Sequence, residues 1–207
     1  MTAAGTPRLV LASGSRVRAA MLRAAGLDPA VDPAGLDEHI IEVECRAAGL
    51  TTPQVAEALA AAKATLVSKR HPDALVVGAD QMLELDGETL RKAKTRAAAA
   101  KVLTRLSGRA HTLISAVALA RDGEVLWRHQ ETARLTMRHL DDAAIARYLG
   151  RAGDGVLACV GAYRLEDLGA QLFERVEGDY FTVLGLPLLA VLDRLRRLGE
   201  TPPGLLL

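Results

Sequence analysis

The chain has 207 residues, half of them hydrophobic and a quarter charged, so it can bury a sizeable core and is not globally disordered. Its net charge is +1, which removes any global pull toward nucleic acid or membrane surfaces, so an anion site would have to be local. Aromatic residues make up only 3%, so an aliphatic core of Ala, Leu and Val is expected.

The first seven residues read as a loose polar start. Leu9-Val-Leu-Ala12 then suits a buried strand, Ser13-Gly14-Ser15 breaks the run, and from Val17 onward Ala19, Ala20, Met21 and Leu22 are good helix formers. Gly26 stands where a helix stop belongs. This is strand, polar turn, helix start. Unpaired N–H groups and the positive end of a helix dipole make such a start an anion site. Ser13 and Ser15 add hydroxyls there, and Arg16 and Arg18 add positive charge. The plainer reading is a serine cap followed by solvated arginines, and local residues alone favour it.

Asp28–Asp37 reads as an irregular loop ending in Asp37-Glu38, followed by a short helix over 40–50. Thr52 can cap the next helix, with Pro53 at its first position. Its apolar residues Val55, Leu59, Ala62 and Leu66 recur near a 3.6 period, and it carries Lys63. Ala74–Ala79 is a short apolar run, the pattern of a strand buried on both faces, expected to stop at Asp80-Gln81 before Met82–Leu85 continues as strand. Asp86-Gly87 and Asp122-Gly123 are hairpin signals. Arg91-Lys92 leads to a helix over 95–106, and strands are expected at 112–121 and 124–138. A helix follows over about 140–149, a loop at Gly150–Gly155, a strand-like stretch at Val156–Leu165, and a last helix from Gly185-Leu-Pro to Leu198. The Pro-rich tail after it reads as loose. Alternating strands and helices with inserted hairpins imply a mixed-sheet α/β fold.

Cys45 and Cys159 have no metal-type or redox-type spacing, and the five histidines are scattered, so they are taken as structural or surface groups. There is no Gly-x-Ser-x-Gly elbow and no Walker-type loop, which disfavours a serine hydrolase and a P-loop NTPase. No secretory leader is evident and no run of about 18 apolar residues occurs, so a cytoplasmic protein with free thiols and no membrane span is expected. Polar clusters at the ends of apolar segments remain: Ser13/Ser15/Arg16/Arg18, Asp37-Glu38, Asp80-Gln81 and Lys92, with Lys63 on its helix. Each alone is ordinary surface or cap chemistry. Together they supply cations and N–H donors for phosphates, and carboxylates for Mg²⁺ and for orienting water. Tyr180 and Phe181 could stack on a base, although a core role is the plainer reading.

From about Leu9 to Leu198 the chain resembles the Maf family of nucleoside triphosphate pyrophosphatases. The motifs that carry the resemblance are Leu11-Ala-Ser-Gly-Ser-Arg-Val-Arg18, Asp37-Glu38, Leu59-Ala-Ala-Ala-Lys-Ala64, Gly78-Ala-Asp-Gln81, Lys92, Leu106-Ser-Gly-Arg-Ala-His111, Gly161-Ala-Tyr163 and Gly185-Leu-Pro-Leu188. Their order and spacing are the specific signal. The departures are Arg16 and Val17 for a Pro and an Arg, Gln81 for Thr after the aspartate, Ala93 for Pro, and Glu166 for Gln. Gln81 and Glu166, with Leu172-Phe-Glu-Arg and Glu177-Gly178, look like the branch that hydrolyses 7-methyl-GTP, although that branch has an aromatic residue where Val17 stands.

The resemblance implies one domain over 1–207, with an elongated mixed sheet, a cleft between two lobes and loose ends at about 1–7 and 200–207. It implies water attack on the α-phosphorus of a nucleoside triphosphate, releasing pyrophosphate. Asp80 would be the general base, Glu38 and Asp80 the Mg²⁺ or Mn²⁺ carboxylates, and Ser13, Ser15, Arg18, Lys63 and Lys92 the phosphate contacts. Val17, Gln81 and Glu166 would set the base; a buried Glu166 carboxylate would pair with guanine N1–H and N2–H₂. The partner is the nucleotide, with no nucleic acid polymer and no membrane, and monomer and homodimer stay open. A broader or pyrimidine preference (dTTP or UTP), another phosphate-ester hydrolase, and a nucleotide-binding regulator of cell division are the alternatives; holding Asp80, Glu38 and Lys92 together argues for catalysis.

Overall fold

A computed structural model describes residues 9–199, so the expected loose ends at 1–7 and 200–207 lie outside the described residues. In chain order the elements are β1 (Leu9–Leu11), α1 (Arg16–Ala24), β2 (Ala30–Val31), α2 (Glu38–Ala47), α3 (Thr52–Ser68), β3 (Leu75–Leu85), β4 (Glu88–Leu90), α4 (Arg96–Leu106), β5 (Ala110–Arg121), β6 (Glu124–Met137), α5 (Asp142–Ala152), β7 (Phe173–Glu177), α6 (Tyr180–Val183) and α7 (Leu188–Arg197). Two 3₁₀ turns, Asp154–Ala158 and Leu168–Leu172, precede β7. The strand order is β2-β1-β3-β5-β6-β7, with β4 also on β3. The β1–β2 and β1–β3 pairs are parallel, and β3–β4 and β6–β7 are antiparallel, so the expected mixed α/β sheet is present.

The described chain divides into two compact units. One holds residues 9–80, 115–131 and 185–199; the other holds Gln81–Ile114 and Thr132–Leu184. In the first, Val10, Ala12, Val67, Ala74 and Val76 pack around the β1–β3 pair. In the second, Leu83, Leu103, Leu106, Leu113, Leu135 and Leu149 form an aliphatic core joined by Tyr148, Tyr163 and Phe173.

One local feature sets up the chemistry of the first unit. Gly78 in β3 faces α3 so closely that an added Cβ would lie 2.2 Å from the Ala60 carbonyl oxygen and 2.6 Å from the Ala64 nitrogen. Only glycine lets the helix backbone come this near. Asp80 lies two residues along the strand, hence on the same face, and Lys63 lies one turn along the helix from Ala60.

The structure corrects several sequence expectations. β3 does not stop at Asp80-Gln81 but runs through it as an 11-residue strand. Asp80 is therefore a mid-strand residue, not one beyond a strand end. The cap of α3 is Thr51, whose backbone N–H donates to Gln54 Oε1 at 2.9 Å, and Thr52 is the first helical residue. Val156–Leu165 is not strand-like; it contains a 3₁₀ turn and a tight irregular segment. The strands β2, β4 and β7 and the short α6 were not anticipated, because two to five residues are too few to show a period. Both hairpin turns are where Asp-Gly placed them, with Asp86, Gly87, Asp122 and Gly123 all at positive φ.

Candidate active site

The turn after β1 is built as the sequence suggested, but its side chains serve the fold first. Ser15 caps α1, its hydroxyl accepting from the Arg18 N–H at 3.3 Å. Ser13 is buried and its Oγ accepts from the Ser15 N–H at 3.3 Å and from Arg18 Nη1 at 3.0 Å. Arg18 turns inward. Its Nη1 also donates to the Ala79 carbonyl at 3.0 Å, and its Nε to the Gly185 carbonyl at 2.7 Å. Three of its five N–H donors are thus engaged by protein, while Nη2 donates to none of the described residues. Burial lowers the Arg18 pKa, and the negative charges of Asp80 and Glu38 oppose that shift.

Those carboxylates converge on one ammonium. Lys63 Nζ donates to Asp80 Oδ1 at 2.6 Å and lies 2.7 Å from Glu38 Oε1. Lys63 is 8% exposed and Asp80 is 7% exposed, whereas the Glu38 side chain is 55% exposed. A buried lysine and aspartate with no partners would be prohibitive, so each explains the other. Glu38 arrives at this point because Asp37 caps α2, accepting from the His39 N–H at 3.0 Å. Asp80 Oδ2 accepts no hydrogen bond from the described residues, which leaves it able to take a proton from water. The result is a charge-balanced group of Arg18, Lys63, Glu38 and Asp80 around the turn that starts α1. Val17 is half-buried on α1, and Arg16 is exposed.

Gln81, Lys92 and Glu166 belong to the second unit. Gln81 is not a free side chain: its Nε2 donates to the carbonyls of Thr182 at 3.2 Å and Val183 at 3.0 Å, tying β3 to α6. Lys92 is exposed in the loop after β4. Glu166 is exposed among the described residues, which corrects the expectation of a buried carboxylate; it sits in a polar turn beside Asp167. Glu166 and Lys92 are both close enough to the Cys159 thiol to act on its charge. The thiol pKa is raised by burial and then by Glu166, and Arg164 and Lys92 oppose the rise.

Of the two roles expected for the histidines, structural or surface, His111 takes the structural one and is buried. Both His111 and its partner Tyr163 belong to motifs that the sequence displays, Leu106–His111 and Gly161–Tyr163. Sequence reasoning undervalued Tyr180, which is 50% exposed and stands edge-on to Phe181 with ring centres 5.8 Å apart. Among the described residues no cluster of three or more His, Cys, Asp or Glu is arranged to hold a metal. The donor set of Glu38 and Asp80 fits a hard divalent ion, because Mg²⁺ is commonly held by one or two carboxylates together with substrate phosphates. No helix among the described residues is long and apolar enough to cross a membrane.

The chain is similar to known proteins along nearly its whole length. The chain is 50% identical over 192 residues to the 7-methyl-GTP pyrophosphatase of Brucella suis biovar 1 (strain 1330), covering 93% of this chain and 96% of that one. It is 51% identical over 194 residues to the 7-methyl-GTP pyrophosphatase of Mesorhizobium japonicum, covering 94% and 98%. It is 49% identical over 194 residues to the nucleoside triphosphate pyrophosphatase of Paramagnetospirillum magneticum, covering 94% and 100%. A weaker likeness, with a TM-score of 0.39 and 21% identity over 63% of this chain and 71% of that one, is to the Staphylococcus aureus Ham1 protein. With the family model described as Maf-like protein matching residues 8–198, and with the motif residues gathered as above, the chain belongs to the Maf family.

Proposed function

We propose that this protein is a nucleoside triphosphate pyrophosphatase, a hydrolase acting on the α–β phosphoanhydride, that clears modified nucleotides such as 7-methyl-GTP. The observation that carries this reading is the group of Asp80, Lys63, Glu38 and Arg18 assembled beside the N-terminus of α1. Names borne by relatives at about half identity support it.

The chemistry follows from the positions. Asp80 acts as the base: Lys63 holds Oδ1, so Oδ2 is the oxygen that receives a proton from the attacking water. The α1 N-terminus, Ser13, Ser15, Lys63, Lys92 and the remaining N–H groups of Arg18 receive phosphate oxygens and stabilise the charge that develops on them. Glu38 and Asp80 would hold a divalent cation, Mg²⁺ or Mn²⁺, which when bound neutralises phosphate charge and polarises the scissile anhydride. The products are the nucleoside monophosphate and pyrophosphate.

Val17, Gln81 and Glu166 are assigned to the base. A carboxylate accepts from the adjacent guanine N1–H and N2–H₂ donors and attracts a positively charged 7-methyl ring, whereas uracil and thymine offer it one donor, N3–H, flanked by the O2 and O4 acceptors. A second reading is a broader range that includes UTP and dTTP. It is favoured by the exposure of Glu166 and by the Gln81 amide being held on α6. The test is kcat/KM for 7-methyl-GTP, GTP, UTP and dTTP with product identification. Pyrophosphate release with 7-methyl-GTP ranked first supports the narrow reading. Orthophosphate as the first product would refute the reaction class, and a preference for UTP or dTTP would refute the base assignment.

A further inference from the structure

The segment from Cys159 to Asp167 in the second unit is held in a costly shape. Ala162 is completely buried and sits at φ 55°, a left-handed conformation that an L-residue adopts only under constraint. Such strain persists where its surroundings over-determine it, and it clusters at functional sites. The surroundings here are explicit. Gly161 lies against the Tyr163 ring so closely that an added Cβ would come within 2.2 Å of it. Arg164 Nη2 donates to Asp167 Oδ2 at 2.6 Å, and Asp167 Oδ1 accepts from the Leu168 N–H at 2.7 Å.

The anchor of the segment is a buried polar pair. The Tyr163 hydroxyl lies 2.7 Å from Nε2 of His111 in β5. Tyr163 also stands edge-on to Phe173, with ring centres 4.8 Å apart, and the His111 ring is 5.7 Å from Tyr163 and 6.0 Å from Phe173. His111 is 2% exposed, and its Nδ1 has no partner among the described residues. Burial keeps its ring neutral and also raises the Tyr163 phenol pKa, so the bond joins two uncharged groups in a dry site. A ring anchored from a neighbouring strand fixes a segment more firmly than local turns can.

This segment carries both Cys159 and Glu166. We propose that His111 and Tyr163 are positioning residues for base selection: their hydrogen bond locks the strained Cys159–Asp167 segment and so fixes where Glu166 is presented. This rests on the assignment of Glu166 to the base made above. An exposed carboxylate discriminates only if its place is set beforehand, since a mobile one adapts to any partner.

The test uses Tyr163→Phe, which removes only the hydroxyl, in the wild-type and Glu166→Gln backgrounds. Readouts are kcat/KM for 7-methyl-GTP, for UTP and for ribose 5-triphosphate, which has no base, together with amide hydrogen exchange over 159–167. Losing one buried hydrogen bond should lower the 7-methyl-GTP over UTP preference about five-fold, mainly through KM. Base-less turnover should hold, exchange in 159–167 should quicken, and no further drop should occur in the Glu166→Gln background. If Tyr163→Phe does not fold, His111→Leu carries the same comparison, and His111→Gln, which can still hydrogen-bond the phenol, should restore the preference. Equal losses on all three substrates would reduce the pair to a structural role and overturn the proposal. So would a preference loss of the same size in the Glu166→Gln background. An unchanged ranking in Glu166→Gln alone would instead remove the base assignment beneath it, while wild-type turnover of the base-less triphosphate reports separately on the phosphate chemistry.

Discussion

Asp80 and Arg18 make opposite demands on substitution. Asp80→Asn removes the base but keeps an amide oxygen that can accept from Lys63, whose ammonium still has Glu38 at 2.7 Å. Turnover should fall about 10²–10⁴-fold with the melting temperature nearly unchanged. A variant that kept near-normal kcat would show that another group takes the proton. Arg18→Lys preserves charge but not shape. A single ammonium cannot reach Ser13 Oγ, Ala79 O and Gly185 O together, as the guanidinium does at 3.0, 3.0 and 2.7 Å. Each hydrogen bond involving a charged group contributes roughly 1.5–3 kcal/mol, so both melting temperature and kcat/KM should drop. A loss confined to KM would mean that Arg18 serves the phosphates alone and does not brace the turn.

At the scale of elements, the α3–β3 contact decides whether Lys63 meets Asp80. Gly78→Ala forces a Cβ against helix backbone, which cannot move as a side-chain end can. Overpacking of this kind costs about 1–3 kcal/mol, or several degrees in a chain of this size, and it should depress activity by parting Lys63 from Asp80. A variant melting like wild type would show that α3 does not press on β3. His111 in β5 sets a pH dependence. Its folded pKa is lowered from 6.5 to about 4 by burial. The unfolded chain therefore binds the proton first as pH falls, so stability present above pH 6.5 is lost between 6.5 and 4 and changes no further below that. At pH 5 the loss is about 2 kcal/mol. Urea midpoints at pH 7.5 and 5 should differ more in wild type than in His111→Gln, and equal differences would contradict the burial argument. Much of this level was legible beforehand. Both Asp-Gly hairpins, α4 and α7 were anticipated, because their signals lie within a few residues of one another. The course of β3 through Asp80-Gln81 was not, because the partner that makes a mid-strand aspartate tolerable, Lys63, lies 17 residues earlier. The segment Val156–Leu165 misled for the same reason: apolar composition suggests a strand, while a histidine 52 residues away from Tyr163 sets its shape.

For the whole molecule, charge supplies the last argument. The chain carries a net charge of +1, and the site's Arg18 and Lys63 are matched by Glu38 and Asp80, so neither the global field nor the local group offers surplus positive charge. The residues themselves were legible from the motifs, but their mutual neutralisation was not, because it depends on which side chains meet. A triphosphate entering such a neutral site faces two carboxylates, and like charges at close range are unfavourable. The single charge of Lys63 cannot neutralise both carboxylates and a triphosphate together. A divalent cation between carboxylates and phosphates removes the conflict, so turnover should require Mg²⁺ or Mn²⁺. Glu38 is the more exposed carboxylate and lies outside the proposed proton transfer, so Glu38→Gln isolates the metal role. It should raise the metal concentration for half-maximal rate by about ten-fold or more, the equivalent of roughly 1.4 kcal/mol, while saturating metal recovers most of kcat. Rates measured across a metal titration, with a chelator control, decide the matter. Full turnover in excess chelator, or a Glu38→Gln titration that overlays the wild type, would mean that the charge balance is struck without a metal.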